Sequence, residues 1–69
     1  MSSDTLTKGE QTRIVILEAA HRLFAEQGFH GTSMRQIAEA AGIALGGIYT
    51  HFEGKEEIFA AAITEFHPI

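Results

Sequence analysis

The 69-residue chain contains no cysteine, no tryptophan, one proline and one tyrosine, and its five lysines and arginines are outnumbered by nine aspartates and glutamates. Without cysteine there is neither a disulfide staple nor a thiolate metal site, which fits a reducing compartment, so the core rests on apolar packing alone. A chain of this length buries only about 60% of the surface its unfolded form exposes, so it holds one small domain with a marginal core. No apolar run approaches the roughly 20 residues of a membrane span, and the Ser/Thr-rich start lacks the apolar block of a secretory signal. The expectation is a soluble, cytoplasmic protein with no membrane partner. A formal net charge of −4 opposes nonspecific affinity for nucleic acid, which comes mostly from cations displacing counterions. The position of the charges limits that objection. Glu10, Glu18, Glu26, Glu56, Glu57 and Glu65 all lie outside residues 29–52, where the only formal charges are Arg35 and Glu39.

Residues 1–9 show no apolar periodicity and are expected to form a disordered arm, with order beginning near Glu10. From there Ile16, Ala20, Leu23 and Phe24 recur at the spacing of one buried helix face, until Gly28 supplies a stop. Ser33 and Gln36 stand at capping-box spacing, which starts a second helix at Met34. That helix is short, because Gly42 follows soon after Ile37, Ala38 and Ala41 and tolerates a tight left-handed turn. A third helix is expected over Leu45–His51, with Ile48 and Phe52 pointing to the core. After Gly54, Lys55, Glu56 and Glu57 open a fourth whose acidic first turn suits the helix dipole. Its apolar side is Ile58, Phe59, Ala62, Ile63 and Phe66, and Pro68 marks its end. Phe24, Phe52, Phe59 and Phe66 are expected in the core.

Residues 33–52 are the informative unit: two short helices joined by a Gly42 turn, with small Ala38 where they must approach closely. Such a unit presents its second helix outward, and an exposed α-helix fits the DNA major groove, where each base pair displays a distinct pattern of donors, acceptors and methyl groups. The run IAEAAGIALGGIYTHFEGKEEIF, with Ile16, Ala20, Leu23, Phe24 and Gly28 before it, resembles the TetR family of transcriptional regulators. The likeness lies in a Y-x-H-F-x-x-K signature (Tyr49, His51, Phe52, Lys55) after an I-A-x-x-A-G turn (Ile37, Ala38, Ala41, Gly42), and it extends over residues 10–66. It implies an all-α domain: a three-helix bundle whose helices 2 and 3 form a helix-turn-helix, plus the start of a fourth, connecting helix.

The resemblance also implies roles. Arg35, Leu45, Gly46 and Tyr49 fall where the family contacts bases, and Ser33, Gly47, Thr50, His51 and Lys55 where it contacts phosphates; phosphate contacts fix register and base contacts choose sequence. A guanidinium can bond guanine through two parallel N–H groups, which makes Arg35 the leading base reader. Family members carry a second, larger helical domain that dimerises and binds a small-molecule inducer, and none of it is present in this chain. The implied protein is therefore a ligand-responsive regulator, in the family's usual form a repressor, that binds a palindromic operator as a homodimer. The isolated head would be a weak, largely monomeric binder. One departure matters: Ala44 stands where a serine commonly caps the recognition helix, at a cost of about 1 kcal/mol. Gly46 and Gly47 add about 1 kcal/mol each relative to alanine, so this helix is expected to be weak until DNA is bound.

Each of these residues also has a plainer reading. Tyr49 alone would be a core aromatic, His51 a solvated histidine, Lys55 a surface charge, and Arg35 with Glu39 an i, i+4 ion pair worth a few tenths of a kcal/mol. His21, His30, His51 and His67 show no metal-ligand spacing. No nucleotide-binding glycine loop or convergent acid–base pair is visible, so neither an enzyme nor a cofactor is expected. The competing class is a helical protein-interaction module that docks a partner on the apolar side of helix 4.

Overall fold

The computed structural model describes residues 6–66, save the side chain of Phe66. Four helices follow in order: α1 Lys8–Gln27, α2 Met34–Ala41, α3 Leu45–His51 and α4 Lys55–Phe66. The last three begin where the sequence placed them. Helix α1 starts earlier than expected, so the arm assigned to residues 1–9 is too long. Thr7 Oγ1 accepts the Glu10 amide at 3.0 Å, and Glu10 Oε1 accepts the Thr7 amide at 2.8 Å. This capping box satisfies two amides that a helix start leaves open, and it draws Lys8 and Gly9 into the first turn. Residues 1–5, and the ends assigned to Phe66 as a core side chain and to Pro68, lie outside the described residues.

Two glycines make the turns around the site. Gly28 ends α1 at φ +81°, its amide donating to Phe24 O at 2.8 Å. Gly42 ends α2 at φ +76° in the left-handed region, and the Ile43 amide reaches back to Ala38 O at 3.0 Å. Any side chain would strain either backbone.

The long α1 packs against both α2 and α4, and α2 against α3. Ile16, Leu17 and Ala20 of α1 meet Ile37 and Ala38 of α2, Ile48 of α3, Phe52 just after it, and Ile58 and Ala62 of α4 in one core. Leu17 and Ala19 are buried beside the expected Ile16 and Ala20, so the buried stripe of α1 is wider than the spacing implied. Phe52 is buried, whereas Phe24 is half-buried and Phe59 exposed. Phe24 and Phe59 meet Phe29 in a three-ring cluster at the domain's edge, with ring centroids 5.4 to 5.6 Å apart. Such tilted and edge-on pairs add attraction beyond the area they cover. Ile63, expected on the buried side of α4, is also exposed.

The ends of α1 and α4 are tied by a half-exposed ion pair between Arg13 and Glu65. The Arg13 guanidinium also lies 5.3 Å from the centre of the Phe52 ring. No helix among the described residues is long and apolar enough to cross a membrane.

Candidate nucleic-acid interface

Helix α2 is fixed at its start by the capping box read from the sequence. Ser33 Oγ accepts the Gln36 amide at 3.1 Å, and Gln36 Oε1 accepts the Ser33 amide at 3.0 Å. Arg35 stands in this first turn, exposed. Its alternative partner Glu39, one turn on, makes no ion pair with it, so the guanidinium's five donors remain available to a ligand.

Helix α3 is held from behind. Ile48 is fully buried and Phe52 nearly so, which turns the other side of this short helix outward. Tyr49 projects there with 52% of its surface exposed, against the plain expectation for an aromatic beside a core residue. A Cβ built on Gly46 would meet nothing within 4 Å, and one on Gly47 only Ile43 Cδ1 at 3.9 Å. The packing of the domain itself therefore gives no reason for either glycine. Leu45 is half-buried against the core, so only part of its side chain faces outward. Thr50 is exposed, with its hydroxyl donating to Gly46 O at 3.2 Å. As expected of Ala44, no side chain caps α3: the Ala44 carbonyl accepts the Gly47 and Ile48 amides at 2.9 and 3.3 Å, but its methyl offers nothing to the amides of the first turn.

The residues expected at phosphates do not form one cluster. His51, half-buried, lies against the start of α1, where a Cβ on Gly9 would come 3.9 Å from its Cε1. Lys55 reaches toward the opposite end of α1. Its ammonium donates to Phe29 O at 2.7 Å and sits 4.3 Å from the centre of the Phe29 ring. Phe29 O also accepts the Thr32 amide at 3.3 Å, so Lys55 braces the turn that delivers Ser33. Ser33 and Lys55 stand at one end of α1 and His51 near the other, with Gly46, Gly47, Tyr49 and Thr50 on α3. Lys55 is thus partly spent inside the protein, which its sequence position did not indicate; two of its three N–H groups remain.

The sequence reading missed Thr32, the one buried polar side chain among the described residues. Its hydroxyl bonds to Gly28 O at 2.8 Å and lies 3.3 Å from Leu23 O. It also missed Gln27, whose amide nitrogen approaches Gly31 O, Thr32 Oγ1 and Gln36 Oε1. Among the described residues, no three His, Asp or Glu side chains stand together as a metal site would require.

Two short helices joined by a tight glycine turn, the first tied down and the second turned outward, make a helix-turn-helix of the DNA-binding class. The sequence matches the profile for bacterial regulatory proteins of the tetR family over residues 16–62. It is 43% identical over 60 residues to the HTH-type transcriptional regulator AcrR of Shigella flexneri, covering 87% of this chain and 28% of the relative. It is 43% identical over 65 residues to the HTH-type transcriptional repressor AcnR of Corynebacterium efficiens, covering 94% and 35%, and 40% identical over 63 residues to the HTH-type transcriptional regulator TtgR of Pseudomonas putida, covering 91% and 30%. The chain belongs to the tetR family and comprises its helix-turn-helix DNA-binding domain. It spans about a third of the length of these curated relatives. No solved structure matches it significantly.

Proposed function

We propose that this domain binds duplex DNA sequence-specifically by laying α3 in the major groove, with Arg35 and Tyr49 reading base edges. Gly46 lets the backbone close on the bases, and the outward part of Leu45 contacts a thymine methyl. Ser33 and Lys55 grip the sugar–phosphate chain on one side of the groove, and Gly47, Thr50 and His51 grip it on the other. The observation that carries this reading is the outward side of α3: a half-exposed tyrosine beside a glycine with open space around it, on a helix anchored from behind by Ile48 and Phe52.

The wider protein is, in this reading, a cytoplasmic ligand-responsive repressor. Chain beyond this domain pairs two copies on a palindromic operator and binds the small-molecule inducer. The relatives' greater length and the naming of AcnR as a transcriptional repressor support it. Two heads must meet half-sites about one helical turn apart, or a multiple of it, so whatever sets their spacing sets the affinity. Regulation needs no catalysis, and no enzymatic role is assigned.

Selection of bound sequences from a random duplex pool, followed by a salt titration on the winner, tests the proposal. One enriched motif whose affinity falls as salt rises is the expected result. Absence of salt-sensitive binding to any duplex would overturn it in favour of an interaction module, for which the exposed Phe59 and Ile63 of α4 are the natural docking residues.

A further inference from the structure

We infer that Gln27, on the last turn of α1, is a positioning residue for the DNA face, acting through the capping box of α2 on Ser33 and Arg35. The inference rests on the DNA-binding reading above and adds a residue that does not itself touch DNA.

The Gln27 Nε2 lies 3.1 Å from Gly31 O, 3.3 Å from Thr32 Oγ1 and 3.2 Å from Gln36 Oε1, so its two hydrogens are shared among three acceptors. The third acceptor is the informative one. Gln36 Oε1 is the atom that also accepts the Ser33 amide at 3.0 Å and so closes the α2 capping box. A capping box is a local device: it orders the first turn of its own helix but does not fix that turn relative to the rest of the protein. Lys55 and Thr32 brace the turn before the box, whereas Gln27, which belongs to α1, bonds to the box itself from outside.

The backbone carries a second sign of this close fit. A Cβ on Gly31 would overlap the carbonyl oxygen of Gln27 and lie 3.5 Å from the Gln27 Cβ. The loop is thus folded tightly against Gln27, and the Thr32 hydroxyl accepts from Gln27 Nε2 while donating to Gly28 O. Two of the three bonds are solvent-exposed, where water competes for the same donors and acceptors. Their main effect is therefore orientation rather than stability. Arg35 stands between the two residues of the box, Ser33 and Gln36, and bidentate reading of a base by a guanidinium tolerates little misalignment.

The test compares the wild-type chain with Gln27→Met, which keeps the side-chain stem and removes the carboxamide. Each binds the selected operator, a random duplex, and an operator changed at the base pair read by Arg35, which is the pair whose preference disappears in Arg35→Ala. Gln27→Met is expected to weaken the selected operator about tenfold and to compress discrimination at that base pair severalfold. Affinity for the random duplex should fall severalfold less than affinity for the selected operator, because only the Ser33 phosphate contact is disturbed there, and the melting midpoint should stay close to wild type. Amide resonances of Ser33 and Gln36 should shift in the free protein. In a Gln36→Met background the same change should add little further, as expected for two residues acting through one contact. Uniform weakening on every duplex together with a lowered melting midpoint would mean that Gln27 is merely structural and would overturn the inference. Unchanged discrimination in a folded Gln27→Met would overturn it while leaving the DNA-binding reading intact. A wild-type chain that binds no duplex would sink both.

Discussion

Replacing Gly46 with alanine should make the domain more stable and a poorer DNA binder. A Cβ there meets nothing within 4 Å in the protein, and the φ of Gly46 is not positive. The substitution thus carries no steric penalty and removes the entropic cost of glycine in a helix, about 0.5–1 kcal/mol. Gly46 lies in the first turn of α3, which favours the lower figure. For a domain of this size, about 0.5 kcal/mol raises the melting midpoint by roughly 2–4 °C. On DNA the same methyl enters the space a base edge would occupy. Overpacking of a close contact costs about 1–3 kcal/mol, which corresponds to roughly 5- to 150-fold in affinity. The assay pairs thermal melting of the free domain with binding to the selected operator by the same preparations. Opposite movement of the two quantities is the expected signature. A raised midpoint with unchanged affinity would refute the idea that the glycine exists for close approach to DNA, and a lowered midpoint would refute the account of open space.

Restoring the missing cap with Ala44→Ser should stabilise α3 by about 1 kcal/mol and slow amide exchange in the free domain; strong wild-type protection of the amides over Leu45–His51 would show instead that the helix was never weak. Arg35→Ala should leave the melting midpoint nearly unchanged, because no ion pair is lost. It should erase about 1–3 kcal/mol of preference at one base pair, and equal losses at every position would reduce Arg35 to a phosphate contact. The salt slope should be shallow. Arg13 is paired with Glu65 and Arg35 is proposed at a base edge, which leaves Lys55 as the cation assigned to phosphate, and at about −0.9 per phosphate neutralised one head should give a slope of roughly −1 to −2. A slope steeper than about −5 would require cations this face does not have.

What the sequence made legible was mostly local. Ser33 and Gln36 announce the start of α2 because the two partners are three residues apart, and Gly28 and Gly42 announce turns because a positive φ is a property of one residue. Thr7 and Glu10 carry the same signature at the same spacing, yet the Ser/Thr-rich composition around them read as an arm. Composition there masked a specific pair of hydrogen bonds. The rest depends on contacts between distant residues. Lys55 meets Phe29 O across 26 positions, and Thr32 is buried only because the end of α1 curls its carbonyls around the hydroxyl. Phe59 and Ile63 match the apolar period of α4, but periodicity gives a helix's apolar side and not whether anything covers it. The outward pose of Tyr49 follows from burial of its neighbour Ile48, which the i, i+4 spacing of Ile48 and Phe52 had implied.

The long first helix carries none of the proposed base contacts, yet both groups proposed to grip phosphates lean on its ends. With 20 residues it is a rod of about 30 Å, and in the proposed binding mode it would act as a caliper whose jaws are Lys55 with Ser33 at one end and His51 at the other. A rigid gauge accepts only duplexes whose groove already has the matching width or yields to it cheaply. Base pairs that no side chain reaches should therefore influence binding through their stiffness, and operators differing only at such silent positions should rank by how easily they deform.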